Sequence, residues 1–336
     1  MKTNYVPSAA DSSEGLTATR PLSRQYLLPV EAQLKQLLAP YERAATLGSG
    51  LALTGGKRLR PQLCLLAYRH SSGNPVPTPA VYELAAAVEL LHLATLVHDD
   101  VIDNADCRRS EPSVNITHGN RTAVLLGDFF FGCFLAAAAD SSSDILSLFA
   151  ATIGNMVEGE LAQAHHCRNL NLTEAYYLDI IERKTAALIA AACEAGVRAA
   201  GANRDTINTF RGFGRALGSA FQIQDDILDY IGNPDQLGKP LYKDLKEGVI
   251  TLPLIHALKH SRHRNELARL LLEPELTPQA IPKIAAEVAA AGGIKYAQQR
   301  AARYLKAARQ ELSRLAPSPA KTELEWLLLT LAQRET

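Results

Sequence analysis

The stretch Leu91–Asn115, LHLATLVHDDVIDNADCRRSEPSVN, decides how the rest of the chain is read. An apolar run ends in three acids, Asp99, Asp100 and Asp103, and two arginines follow, Arg108 and Arg109. On a helix Asp99 and Asp103 project from one face, about 6 Å apart along the axis. Like charges at that spacing destabilise a helix unless something positive lies between them. A hard divalent cation meets that need, because Mg²⁺ takes one or two carboxylates and completes its shell with phosphate oxygens and water. The arginines suit those phosphate oxygens through their forked donors. The plain alternative is a solvated acidic helix end followed by basic residues. His92 lies two turns before Asp99 on nearly the same face.

A second copy of the acid spacing lies downstream in Phe221–Pro240, FQIQDDILDYIGNPDQLGKP. Asp225, Asp226 and Asp229 again end an apolar helical run, Gln222 precedes them by a turn, and Lys239 follows in a Gly/Pro/Asn loop. Lys243 and Lys246 come next, in KDLKEG. Upstream, Thr54–Pro61 reads TGGKRLRP. Gly55 and Gly56 break one helix and Pro61 can open another, with Lys57, Arg58 and Arg60 between them. Basic side chains beside a helix N-terminus make an anion site, and a solvated basic turn is the bland reading.

The 336 residues are 47% hydrophobic but only 6% aromatic, and Ala and Leu dominate, which favours packed helices over a sheet. The 35 basic and 35 acidic residues cancel, leaving no electrostatic case for a nucleic-acid partner. Helical periodicity predicts segments at 24–38, 63–69, 80–103, 123–139, 145–164, 172–199 with Thr173 as N-cap, 206–230, 251–272, 282–291, 296–315 and 321–334. Residues 115–120 read as a loop. Residues 1–23 are polar and Pro-containing and are expected to be a flexible tail; they lack a secretory apolar core. Residues 24–336 read as one domain. No run of about 18 apolar residues is free of charge, so no membrane span is expected. Five widely spaced cysteines without a CxxC read as reduced thiols of a cytoplasmic protein, mostly core filler, with Cys107 the one to test for reactivity.

Taken together, GGKRLRP (Gly55–Pro61), LLHLATLVHDDVIDNADCRR (Leu90–Arg109), Gly127-Asp128, EGE (Glu158–Glu160), RKTAAL (Arg183–Leu188), FQIQDDILDY (Phe221–Tyr230), LGKP (Leu237–Pro240), DLKEG and TLPLI resemble the trans-polyprenyl diphosphate synthases, most of all their medium- and long-chain members. A single DDxxD is weak; this set in this order is specific. The resemblance implies an all-α, single-domain bundle of long antiparallel helices around a central cavity, the isoprenoid synthase type I fold. It implies head-to-tail 1′-4 condensation of an allylic diphosphate, farnesyl or geranylgeranyl, with isopentenyl diphosphate.

By the same resemblance, up to three Mg²⁺ would be held by Asp99, Asp103 and Asp225. Asp100, Asp226 and Asp229 belong to the same catalytic set. Arg108, Lys184, Thr185, Gln222 and Lys239 match positions that hold the allylic diphosphate. Lys57, Arg60, His92 and Arg109 match positions that hold isopentenyl diphosphate. A homodimer is the family expectation, with peripheral membrane contact conceivable for a long product. Two departures stand out: Ser110 and Glu111 replace the usual Gly-Lys, and Val249 replaces a basic residue.

Residues four and five before the first acid often floor the product cavity in this family; here they are Thr95 and Ala94, both small, with Leu91 and Val88 further down the helix. This predicts a medium- or long-chain product, typically a quinone side chain. The counter-reading is that Phe129, Phe130, Phe131 or Phe134 caps the cavity. Three other activities stay open: a short-chain synthase, the catalytic subunit of a heterodimeric synthase, and a class I terpene cyclase. A di-iron bundle is disfavoured because neither Glu89 nor Glu160 has a His three residues on.

Overall fold

The structure, a computed structural model, describes residues 24–53, 56–108, 111–233, 241–273 and 276–332. The expected tail at 1–23, together with Arg109, Ser110 and Lys239, lies outside the described residues.

The chain begins with α1 (Arg24–Leu38), α2 (Glu42–Leu53) and α3 (Leu59–Ser72). Gly73, in the left-handed region at φ 66°, ends α3. α4 (Pro79–Ile102) opens with proline in its first turn and carries the first acid motif at its far end. Most of its length is buried, so it forms the axis against which α1, α3, α6 and α9 pack. A Cys107–Arg108/Glu111–Pro112 ribbon, β1 and β2, follows. Then come α5 (Val114–His118), α6 (Asn120–Ala138) and α7 (Ser143–His165).

α8 (Glu174–Ile181) starts where the Thr173 side chain accepts the Tyr176 N–H. It runs through one π turn, Glu182–Ala186, into α9 (Ala187–Ala199). α10 (Arg204–Ile231) is capped by Asn203 and carries the second acid motif. The remaining helices are α11 (Lys243–Glu247), α12 (Leu252–His260), α13 (Arg264–Leu271), α14 (Ala280–Ala290), α15 (Gly293–Ser313) and α16 (Pro319–Ala332).

The all-α expectation holds; α2 and the short α11 lie outside the expected segments, and three expected segments differ locally. Residues expected to form a loop at 115–120 hold the short α5, and Gly119 separates it from α6. The single helix expected over 251–272 is two, because Ser261 turns extended and its hydroxyl bonds Glu287 and the His263 N–H instead of continuing the helix. The helix expected over 172–199 contains the π turn.

One core cluster joins α1, α3, α4, α6, α7 and α9. A second joins α3, α9, α10, α15 and α16, and a third lies under α8 and α10–α15. Fully burying a Leu or Phe side chain such as Leu90, Leu93 or Phe130 contributes about 1.5–3 kcal/mol each. α10 meets the α8–α9 rod backbone to backbone. A methyl on Gly214 would stand 2.5 Å from Ala190 Cα, and one on Gly218 2.5 Å from Ala186 Cα. That spacing of small residues seats the second acid motif against the π turn.

α4, α6 and α7 are long and apolar enough to cross a membrane when up to two charged residues are allowed. The sequence criterion, which allowed none, passed no segment. The most apolar part of α4 is 67% buried inside the bundle, whereas that of α7 is 22% buried and that of α6 44%. Cys64, Cys133 and Cys193 are buried core thiols, as expected, and burial pushes the Cys64 thiol up to about 12. The exposed thiol is Cys167 rather than Cys107, which is half-buried.

Candidate active site

The two acid motifs differ internally in the same way: in each, part of the set is buried and part is half-buried. Asp100 is buried and takes a forked pair from Arg108, with Nε at 2.8 Å and Nη2 at 2.6 Å from Oδ1. Arg108 is therefore held in position by the acid beside it, through Nε and Nη2. Asp226 is buried and accepts from Tyr177 Oη at 2.6 Å and Gln222 Nε2 at 2.8 Å. Asp229 is buried too, and its two oxygens accept the backbone N–H groups of Lys243 at 3.0 Å and Asp244 at 3.1 Å. Asp99, Asp103 and Asp225 are the half-buried acids, the same three that the resemblance names as metal ligands.

The motifs are brought together by Lys243. Its backbone is held by Asp229 of the second motif, and its ammonium lies 3.1 Å from Asp103 Oδ2 of the first. Burial pulls the Lys243 ammonium down, but Asp103 and Glu247 more than offset it, so its proton is held above the usual lysine range.

The π turn supplies the opposite wall. A π turn projects successive side chains differently from an α-helix and is frequent at functional sites. Here it presents Lys184, whose Nζ lies 2.7 Å from Glu160 of α7, and Thr185, whose hydroxyl donates to Gln222 Oε1 at 2.7 Å. Gln222 passes the chain of bonds on to Asp226, so Thr185, Gln222, Asp226 and Tyr177 form one polar string beneath the acids. Burial pushes the Asp99 carboxyl up to about 6, with Glu160 and Asp103 adding to the rise and Lys184 and Arg108 opposing it. Burial likewise pushes Asp226 up to about 7, against the two hydrogen bonds it accepts.

The basic turn before α3 divides into two parts. Arg58 belongs to the scaffold: it is buried, 2.6 Å from Glu31 and 2.9 Å from Glu89. Arg60 instead has a buried Nε without a hydrogen-bond partner, and the charges of Glu89 and then Asp225 act on it. Lys57 is exposed and His92 half-buried. Glu111 is exposed, and Val249 lines a small pocket with Leu245, Leu254 and Leu271.

Of the cavity residues, Val88, Leu91 and Ala94 are buried in the same core cluster as Phe130, Phe134 and Phe149, while Thr95 is half-buried and donates to the His92 carbonyl. Phe134 and Phe149 meet edge to face, 5.4 Å between centroids. The sequence reading missed Lys243 as a bridge, Glu160 as the partner of Lys184, and Tyr177. The EGE motif was the available signal for Glu160; nothing local signals Tyr177.

The chain resembles known proteins along most of its length. The family profile described as Polyprenyl synthetase matches residues 44–288. The chain is 34% identical to heptaprenyl diphosphate synthase component 2 of Geobacillus stearothermophilus, over 92% of this chain and 96% of that protein. It is 33% identical to octaprenyl diphosphate synthase of Escherichia coli K12, over 90% and 94%. Among solved structures, a polyprenyl synthase from Caulobacter crescentus CB15, complexed with calcium and isoprenyl diphosphate, superposes with a TM-score of 0.86 at 32% identity, covering 93% of this chain and 97% of that one.

Proposed function

The chain belongs to the polyprenyl synthetase family, and from that footing we propose its particular reaction: condensation of farnesyl or geranylgeranyl diphosphate with isopentenyl diphosphate, repeated to a medium- or long-chain all-trans product. The chain is a prenyltransferase. The observation that carries the reading is the bridging of the two acid motifs, Asp103 to Lys243 to Asp229, which brings them together.

The donor set fits hard divalent cations. Asp99, Asp103 and Asp225 offer only oxygens, and burial around Asp99 leaves a carboxylate that gains from a cation. Mg²⁺ takes one or two protein carboxylates and completes its shell with phosphate oxygens and water, so three separate carboxylates fit ions shared with diphosphate. Such ions, when bound, supply positive charge against the pyrophosphate as the allylic C–O bond breaks. Lys184 and Arg108 would hold that diphosphate, with Thr185 and Gln222 orienting it, and Lys239 joins them by sequence position. Arg60, with its unpartnered Nε, would hold isopentenyl diphosphate together with Lys57, His92 and Arg109. The alkene then forms the new C–C bond and loses a proton to the departing pyrophosphate. The protein contributes position, charge and exclusion of water.

The printed names of two relatives, heptaprenyl and octaprenyl diphosphate synthase, support the longer product. The outward apolar residues Val124, Leu125 and Leu135 of α6 and Leu146, Val157 and Leu161 of α7 support a homodimer through that face. A second reading, the catalytic chain of an unlike pair, is favoured by the words "component 2" in the Geobacillus relative's name.

The test is to incubate the purified chain with Mg²⁺, labelled isopentenyl diphosphate and farnesyl diphosphate and to size the products. A ladder extending well past geranylgeranyl length is expected. Stopping at that length makes it a short-chain synthase. Incorporation only after an unlike component is added selects the second reading. Cyclic hydrocarbon formed without isopentenyl diphosphate would mean a cyclase.

A further inference from the structure

Lys243 is placed by its backbone with unusual care. The Asp229 carbonyl accepts the Tyr242 N–H at 2.9 Å, and the Asp229 carboxylate accepts the next two N–H groups. Tyr242 adopts φ 62° and ψ 28°, a left-handed conformation that a side chain bearing Cβ resists, and its ring packs edge-on to Tyr230 at 6.3 Å. The ammonium so positioned has two carboxylates within reach, Asp103 at 3.1 Å and Glu247, one turn on in its own helix, at 3.4 Å.

Asp103 shares a helix face with Asp99, and that face needs a positive charge. An ammonium is a compact point charge with rotatable donors, able to pass between two acceptors without moving its backbone. Lys184 faces Asp99 from the π turn and is itself paired with Glu160. Arg108, the other cation near Asp99, is forked onto Asp100. Lys243 is thus the cation that the structure places on Asp103.

We propose that Lys243 is a built-in counter-cation of the two acid motifs: it holds Asp103 when no divalent ion is there, and yields that carboxylate to an entering ion by moving to Glu247. It is a positioning residue of the metal site, and the inference rests on the reading of Asp103 as a ligand. It follows that metal binding and the Lys243–Asp103 pair compete.

The experiment is a Mn²⁺ titration of the full chain, without diphosphate, read by the loss of the free-ion electron paramagnetic resonance signal. Lys243→Met is expected to bind its first Mn²⁺ about five-fold tighter than the parent, the scale of a partly exposed ion pair. Lys243→Arg keeps the charge and is expected to bind as the parent does. Asp103→Asn is expected to weaken binding, and Lys243→Met added to it to restore nothing. Unchanged or weaker binding in Lys243→Met, while Asp103→Asn still weakens it, overturns the counter-cation and leaves the metal reading standing. Lys243→Arg binding as tightly as Lys243→Met overturns it as well, because charge would then not be the cause. An Asp103→Asn variant that binds like the parent overturns both.

Discussion

Tyr177 on α8 donates its phenolic hydrogen to Asp226 on α10 at 2.6 Å, and both side chains are buried. The bond ties the rod that carries the π turn to the helix that carries the second acid motif. Tyr177→Phe removes the donor without emptying the site, and leaves a buried carboxylate short of one partner. That costs about 1–3 kcal/mol, read as a lower unfolding midpoint in urea. Because the bond lowers the Asp226 pKa, its loss moves that carboxyl further up. A midpoint equal to the parent's would mean the hydroxyl contributes nothing.

The pH dependence of stability follows from Asp226. Burial lifts its folded pKa to about 7, above the ordinary carboxylate value near 3.9. Between those values the folded chain keeps a proton that the unfolded chain has released, so stability contributed by this group falls as pH rises from about 4 to 7. Asp226→Asn cannot titrate. The stability of the parent relative to this variant, measured in chelator at pH 5 and pH 8, is therefore expected to decline toward alkaline pH. A difference that does not move with pH would falsify the assignment.

Asp99 gives a separate signature in metal binding. Its carboxyl, raised to about 6 chiefly by burial, must lose its proton before it can take a cation. Mn²⁺ affinity is expected to fall about tenfold between pH 7 and pH 5, as protons occupy the site. In Asp99→Asn the affinity is weaker at both values and the slope between them is lost; a retained slope would assign the titration to another group.

The parts of this molecule that were legible in sequence are those set by local pattern. The two DDxxD runs, the apolar stripe from Arg24 and the cap at Thr173 each declare themselves within a few residues. Periodicity could not show that α8 and α9 are joined by a π turn, because Arg183, Lys184 and Thr185 fit an α pattern equally well. Nor could it show that Ser261 would choose Glu287 over helix continuation. The reach of Lys243 to Asp103 joins residues 140 positions apart, a relation fixed by the way α4 and α10 each pack on α9 and not by either motif alone. Asp100, Asp226 and Asp229 read as site residues from spacing; which of a motif's acids faces protein depends on partners such as Tyr177 and Arg108.

The packing of α7 on the π turn yields a paired prediction. A methyl on Gly159 would stand 2.7 Å from the Lys184 backbone nitrogen and 2.9 Å from Arg183 Cβ, so Gly159→Ala must push the π turn away. Forced overpacking of this kind costs about 1–3 kcal/mol. Gly154 lies on the same helix, with nothing within 4 Å of its added methyl. There the same substitution is expected to stabilise by about 0.5–1 kcal/mol, since alanine loses less backbone freedom in a helix. Thermal melts separate the two directions. Activity separates them again: displacing Lys184 is expected to raise the KM for the allylic diphosphate in Gly159→Ala, while Gly154→Ala keeps the parent's. If Gly159→Ala melts and turns over like the parent, the close approach of α7 to Lys184 is not what seats that ammonium.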